Sequence, residues 1–308
     1  MGFSWNPAKE IPSLEGKTFL ITGGNIGLGR QAALDLARHN PSQIWIAARN
    51  AQKADKTMTD IRAVAPRTDV RFLALDLASF ASIKDAARHF LAEAQRLDVL
   101  MLNAGIMAVP AGLTKEGYEM HFGVNHVGHA LLLRLLTPLL VKTATQLPGG
   151  SKDSVRVIMV ASTAARTVPK GGIAFDTLKT TCESMFMGYR YGQSKLANIV
   201  YAQEVARRYP EFTTMSIHPG VVDTDLQTDA GGNWVIGAFQ KLFIPFIKIS
   251  VEEGAKSQLW AATAEGVVNG EYYEPVGVAG RGSALSKSRD LGEKLWWWTE
   301  DELAAHVG

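Results

Sequence analysis

Seven short apolar runs alternate with stretches of helical length along this chain, and that alternation restricts the fold more than any other feature. The runs are KTFLIT (17–22), QIWIAA (43–48), DVRFLALDL (69–77), LDVLMLNAG (97–105), SVRVIMVAS (154–162), TTMSIHPG (213–220) and GEYYE (270–274). Between them lie helical patterns at 27–39, 51–64, 79–96, about 118–142, 192–208 and 252–265. Strands that are apolar on both faces belong in a parallel sheet covered by helices on both sides. Right-handed crossovers make such a sheet doubly wound. The expected fold is therefore α/β, with a seven-stranded parallel sheet in one domain spanning 1–308. Two regions break the alternation, 163–190 and 223–251, and excursions of that length in a compact domain usually serve function.

Composition excludes several classes. The chain has 308 residues, 46% of them hydrophobic, which suffices for a large core. A net charge of +2 offers no basic excess for nucleic acid. The single cysteine, Cys182, excludes an intrachain disulfide and suits a reducing compartment. The N-terminal stretch MGFSWNPAKEIPSLEGK has no apolar signal region, and Asn6 stands where a myristoylation motif needs Ser or Thr. A cytoplasmic location is expected. The most apolar stretch, Trp234 to Ser250, is interrupted by Lys241, Pro245 and Lys248. It is too short and too charged for a membrane span and reads as a lid or a surface-active helix. The WWW at 296–298 reads as part of a C-terminal helix packing on the core or on a subunit neighbour, with membrane-surface contact as the rival.

The stretch TGGNIGLG (22–29) closes the first strand and opens the first helix. Its Gly23, Gly27 and Gly29 allow a tight turn and a close backbone approach, and the helix N-terminus behind them offers free N–H groups to a phosphate. Its spacing is GxxxGxG rather than the commoner dinucleotide fingerprint. In a dinucleotide-binding (Rossmann) fold an acidic residue about 20 positions on holds the ribose, or an Arg holds a 2′-phosphate. That position here is Arg49, followed by Lys53. The competing reading is a pair of ordinary surface cations.

Tyr191 and Lys195 stand four apart, on one face of a helix. An ammonium beside a phenol favours the phenolate, and a tyrosine so tuned can exchange a proton with an oxygen. Tyr189 has Gln193 at that spacing and lacks the partner. Ser162 ends the fifth strand, at the carboxyl edge where ligands bind in such sheets; a turn or cap serine is the alternative. Asn103 ends the fourth strand and Asn125 lies within an apolar helix, where it needs hydrogen bonds. Both can be read as structural links between strand and helix.

Together TGGNIGLG, LDL, NAG, VNHVGH, VAS, YGQSK and HPGVVDT, in that order from about Gly16 to Glu274, resemble the short-chain dehydrogenases/reductases, in particular the retinol-dehydrogenase-like branch. The resemblance implies a catalytic tetrad of Asn125, Ser162, Tyr191 and Lys195. Tyr191 would carry the proton, Lys195 would lower its pKa and hold the nicotinamide ribose, Ser162 would orient the substrate oxygen, and Asn125 would position a water. It also implies a cofactor site of Gly23, Asn25, Ile26, Gly27, Leu28, Gly29, Asp76, Leu77, Asn103, Ala104, Gly105, Pro219, Gly220, Val222 and Thr224, with Tyr191 and Lys195. Asn25 stands where NADP-preferring members often carry a basic residue, so preference for NADP(H) rests on Arg49 and Lys53. No metal site is expected. A homodimer is expected by resemblance, through the helices of VNHVGHALLLRLL and GQSKLANIVYAQEV, the second with apolar Leu196, Ile199, Val200 and Val205. The segment Leu226 to Ile247 would close over a bulky, largely apolar ketone, aldehyde or alcohol, with Phe175, Met185, Phe186 and Met187 as the opposite wall. The alternative function is a protein that binds NADP(H) and senses redox state with little turnover.

Overall fold

The structure, a computed structural model, describes residues 5–146, 154–222 and 249–307. Thr224 and the proposed lid from Leu226 to Ile247 lie outside the described residues. The strands are β1 (Thr18–Thr22), β2 (Gln43–Ala48), β3 (Asp69–Ala74), β4 (Val99–Leu102), β5 (Arg156–Val160), β6 (Thr213–Ile217), β7 (Tyr272–Glu274) and β8 (Val278–Ala279). They form one sheet in the order β3-β2-β1-β4-β5-β6-β7-β8. All pairs are parallel except β7 with β8. The doubly wound sheet is thus as expected, with an eighth strand added. β8 is only two residues long and folds back antiparallel through a turn at Gly277, so it leaves no apolar run to read.

Helices cover both faces. Residues alternate between them along each strand, as a period of two requires. In β1, Leu20 packs into one core, while Phe19 and Ile21 pack into the other. The second core takes Trp5, Ile11 and Leu14 from either side of α1 (Pro7–Glu10), together with residues of α2 (Gly27–Ala37), α3 (Ala51–Val64) and the strands β1 to β7. The first is built on α4 (Phe80–Glu93), on the helix that runs through α5 (Met120–Phe122), a π-helical turn (Gly123–Val127) and α6 (Gly128–Thr145), and on α7 (Met187–Arg208). The helix from Met120 to Thr145 is apolar and long enough to span a bilayer, but 72% of its most apolar window is buried inside the molecule, which makes it a core helix. Leu196, Ile199, Val200 and Val205 on α7 are all buried within the chain, so the apolar surplus from which pairing was expected is taken up internally.

Among the described residues two further α-helices follow, α8 (Val251–Thr263) and α9 (Arg289–Leu303). The carbonyls that end α8 are held by the buried Arg156, which donates to Ala261 O at 2.8 Å and Ala264 O at 2.6 Å. In α9 Trp296 is buried and stacks on Tyr201, with ring centroids 5.3 Å apart. Trp298 sits edge-on to Tyr118, Phe122 and Phe175. Trp297 is 62% exposed, with the Arg208 guanidinium 5.7 Å from its ring. Two tryptophans of the WWW therefore pack on the core as expected.

Candidate active site

β1 and β4 are neighbours whose crossovers run in opposite directions, and the crevice at their carboxyl ends is where such sheets bind ligands. Here it is a cleft of about 1680 Å³. Typical small-ligand sites span roughly 300–1,000 Å³, so this one has room for a dinucleotide and a second molecule. Every expected cofactor residue within the described part of the chain lines it, from Gly23, Asn25, Ile26, Gly27, Leu28 and Gly29 through Arg49, Lys53, Asp76, Leu77, Asn103, Ala104 and Gly105 to Pro219, Gly220 and Val222.

At one end the cleft is made of backbone. Ile26 precedes α2 without a side-chain cap, so the first N–H groups of that helix remain available. Gly29 sits in the first turn under the loop. A Cβ there would stand 2.4 Å from Gly23 O and 2.5 Å from Asn103 Nδ2, so only glycine fits. Asn103 donates to Thr22 O at 2.9 Å and accepts from Gln258 at 3.1 Å, tying β4 to β1 and α8. Arg49 and Lys53 are exposed at the cleft edge, and among the described residues neither is in an ion pair. Asn50 between them caps α3 by accepting from Lys53 N at 2.8 Å. Uncapped amides, a loop that excludes a Cβ and two cations beside the end of β2 fit a dinucleotide phosphate chain carrying an extra phosphate.

At the other end the cleft is made of side chains. Ser162 follows β5 and accepts from Ala164 N at 3.2 Å, starting a short 3-10 turn at Thr163–Arg166. Helix α7 meets that turn closely because residue 192 is glycine: a Cβ there would stand 1.9 Å from Thr167 O. The contact sets Tyr191 near Ser162, and both line the cleft. Lys195, one turn on, is buried, donates to Val160 O at 2.9 Å and lies 5.8 Å from the Tyr191 ring centroid. A Cβ on Gly105 would stand 3.3 Å from Lys195 Nζ and 3.2 Å from Asn125 Oδ1, so these groups converge on the end of β4.

Two expectations need correction here. Burial pushes the Tyr191 phenol up to about 12, with the Ser162 hydroxyl opposing it, instead of Lys195 pulling it down. Burial also takes Lys195 down to about 8 from its ordinary 10.5. Sequence spacing carries the pair but not the desolvation, which dominates both groups. Secondly, Asn125 is fully buried and does not line the cleft. It donates to Ile106 O at 3.0 Å and to Ser194 Oγ at 3.0 Å, and accepts from Ile106 N at 2.8 Å. Its own carbonyl pairs with His129 Nδ1 at 3.1 Å. It lies within the π-helical turn and stitches the end of β4 to α7.

The expected second wall also lies elsewhere. Phe175, Met185, Phe186 and Met187 are not among the residues that line the cleft. Phe175 packs on Trp298, and Phe186 is half exposed with its ring edge-on to Tyr189. Sequence reasoning missed the wall that is present: Ile106, Met107, Val109, Pro110, Met120 and Val124. Its one legible signal is the apolar IMAVP that follows NAG at the carboxyl end of β4. His218 was also missed; it lines the cleft before Pro219, and burial with nearby Arg166 and Lys195 lowers it to about 4, so it is neutral.

Comparisons with known proteins agree with this geometry. The family profile described as short chain dehydrogenase matches residues 17–233. The chain is 34% identical to the short-chain dehydrogenase/reductase drtF of Aspergillus calidoustus, over 95% of each sequence. It is also 34% identical to mouse retinol dehydrogenase 12, over 92% of this chain and 85% of that protein. Among solved structures, an uncharacterised Mycobacterium paratuberculosis protein superposes with a TM-score of 0.73 at 28% identity, covering 97% of both chains. A Pseudomonas aeruginosa RhlG/NADP complex shares the fold with a TM-score of 0.66 at 24% identity, over 86% of this chain and 96% of that one. The chain belongs to the short-chain dehydrogenase/reductase family, an oxidoreductase family that binds nicotinamide cofactors, and within it to the retinol-dehydrogenase-like branch.

Proposed function

We propose that the protein is an NADP(H)-dependent oxidoreductase that interconverts a carbonyl and an alcohol on a bulky, largely apolar molecule. The observation that carries this reading is the convergence of Ser162, Tyr191 and Lys195 in one cleft, which also holds the glycine loop and an apolar wall. When bound, the nicotinamide supplies or accepts a hydride. Gly23 to Gly29 hold its phosphate chain with backbone N–H groups, Asp76 and Asn103 to Gly105 flank its adenosine, and Arg49 with Lys53 holds the 2′-phosphate through charge-assisted hydrogen bonds. Lys195 and the stretch from Pro219 to Val222 would frame the nicotinamide end. Ser162 hydrogen-bonds the substrate oxygen and Tyr191 Oη exchanges the proton with it. A phenol near 12 is protonated at neutral pH, so Tyr191 can serve as the acid when the carbonyl is reduced. As its proton leaves, the charge on the phenolate is offset by Lys195. Asn125 holds Gly105 and Ile106 in place.

Met107, Val109, Met120 and Val124 support an apolar substrate, since ligand pockets are mostly apolar with few polar anchors. The name of the retinol dehydrogenase relative supports the same class. The experiment is a panel of bulky apolar and small polar carbonyls with NADPH, and of alcohols with NADP⁺, followed at the nicotinamide absorbance. Turnover of bulky apolar carbonyls is expected, and turnover confined to small charged acids or sugars would reject the substrate class.

A further inference from the structure

Three ionisable side chains that the proposed chemistry does not use are buried behind Tyr191. Glu119 and His121 are completely buried, and Arg190, next to Tyr191 in sequence, is 6% exposed. His121 Nδ1 donates to Glu119 Oε1 at 2.9 Å, and Arg190 Nη1 lies 3.6 Å from the same oxygen. The second carboxylate oxygen of Glu119 accepts from Phe122 N at 2.8 Å and so caps α5. The backbone N–H of Glu119 donates to Leu178 O at 2.8 Å, in the 163–190 excursion. The His121 ring stands edge-on to the Tyr191 ring, with centroids 6.2 Å apart.

Stability does not account for this cluster. His121 Nε2, Arg190 Nε and Arg190 Nη1 are buried without a hydrogen-bond partner among the described residues. Burying charge with unsatisfied nitrogens is costly, and apolar groups of similar volume often replace such pairs at no loss. What the cluster does provide is a fixed junction. It joins the start of α5, whose Met120 lines the cleft together with Val124 of the π-helical turn that follows, to the excursion and to the first turn of α7, and it places a ring against Tyr191. We propose that Glu119, His121 and Arg190 are positioning residues that hold the Tyr191 ring in register with Ser162 and the substrate wall. The proposal rests on Tyr191 being the proton carrier.

Small misplacements of a reacting group can cost about 10²-fold in rate. His121→Leu, which loses the bond to Glu119 and leaves that carboxylate buried with Arg190 alone beside it, is expected to lower kcat on a bulky carbonyl by ~10-fold to 10²-fold and to lower Tm, with NADPH affinity of the folded protein unchanged. His121→Asn can reproduce the Nδ1 donor and is expected to recover most of that loss. In a Tyr191→Phe background His121→Leu should have no further effect on residual turnover, since residues acting as a unit are not additive. An equal loss in both backgrounds, an unchanged kcat, or His121→Asn performing no better than His121→Leu would overturn the proposal. Should His121→Leu not fold, Arg190→Lys is read in the same two backgrounds, and a loss that follows Tm in both also overturns it. Near-normal turnover in Tyr191→Phe alone would instead reject the proton-carrier reading on which the proposal stands.

Discussion

At the β1–α2 end of the cleft the working atoms are backbone N–H groups, brought within reach by the absence of a side chain at Gly29. At the β5–α7 end they are the side chains of Ser162, Tyr191 and Lys195, and the glycine at 192 serves only to seat the helix that carries two of them. Backbone cannot be deleted by a point change; it can only be obstructed, and obstruction disturbs the fold and the phosphate site together. Side chains can be trimmed atom by atom with the fold left standing. The two ends should therefore fail in different ways.

The largest expected effect joins acid to the side-chain end. His218 lines that end, His126 and His129 are buried in the core beside Tyr201, and all three are neutral, lowered by burial to about 4, 3 and 4 respectively. Their folded values lie below the unfolded 6.5, so the stability they contribute is present above pH 6.5 and is lost as pH falls towards 4. At pH 5 each costs on the order of 2 kcal/mol relative to pH 7. Urea midpoints at the two pH values should differ accordingly, and His218→Asn should reduce the difference. A midpoint that does not move between pH 7 and pH 5 would show these rings to be charged or solvated.

Gly29→Ala comes next, at the backbone end. The added carbon meets Gly23 O and Asn103 Nδ2 at distances that no relaxation of a side-chain tip can relieve. Overpacking of this kind costs roughly 1–3 kcal/mol, and NADPH affinity should fall ~10²-fold as the loop shifts from the amides that hold the phosphates. Isothermal titration and a thermal melt check both numbers. A variant that melts normally and binds NADPH normally would remove the glycine loop from the account.

Lys195→Met should separate the ends in the opposite sense. Lys195 is lowered to about 8 from 10.5, so its burial disfavours the folded state at neutral pH, and this cost disappears as pH rises from 8 through 10.5. The shift corresponds to about 3 kcal/mol, reduced by the lost bond to Val160. The variant should therefore melt higher at pH 7, by ~1–2 kcal/mol of stability, while losing turnover. A lower melting temperature would show that the bond to Val160 outweighs the burial of the charge. The smallest effect is at the exposed cleft edge, where Arg49→Asp should weaken NADPH and improve NADH, each by about 10-fold. Equal affinity of the unaltered protein for NADH and NADPH would reject the role given to Arg49.

The contrast between the ends also explains what the sequence made legible. Gly23, Gly27, Gly29 and Asn103 are readable because their position after a strand and their residue type both follow from backbone geometry, whereas Asp76 is legible only through the family resemblance. Tyr191, Lys195 and Ser162 were readable as a constellation through helical spacing and strand ends. The acidity of Tyr191 was not, because it depends on how deeply the phenol is buried, which no spacing encodes. Asn125 was read both as a water-positioning group and as a structural link, and its hydrogen bonds to Ile106 and Ser194 are those of a link. Met107 and Val109 are invisible as a wall because loop residues have no period to betray the side they face. Phe175 was assigned to the wall on hydrophobicity alone, and that hydrophobicity is spent on Trp298.

The central claim is that proton transfer at Tyr191 is separable from cofactor binding at the glycine loop, and Tyr191→Phe tests it most directly. NADPH affinity by fluorescence titration and carbonyl turnover by nicotinamide absorbance are measured on the same preparation, beside Tyr189→Phe as the exposed control. Affinity should stay within a factor of about 2, while turnover falls ~10²-fold to 10⁴-fold and Tyr189→Phe remains normal. Near-normal turnover in Tyr191→Phe, or an unaltered protein that binds NADPH and turns over no carbonyl in the panel, would contradict the account and favour a cofactor-binding redox sensor.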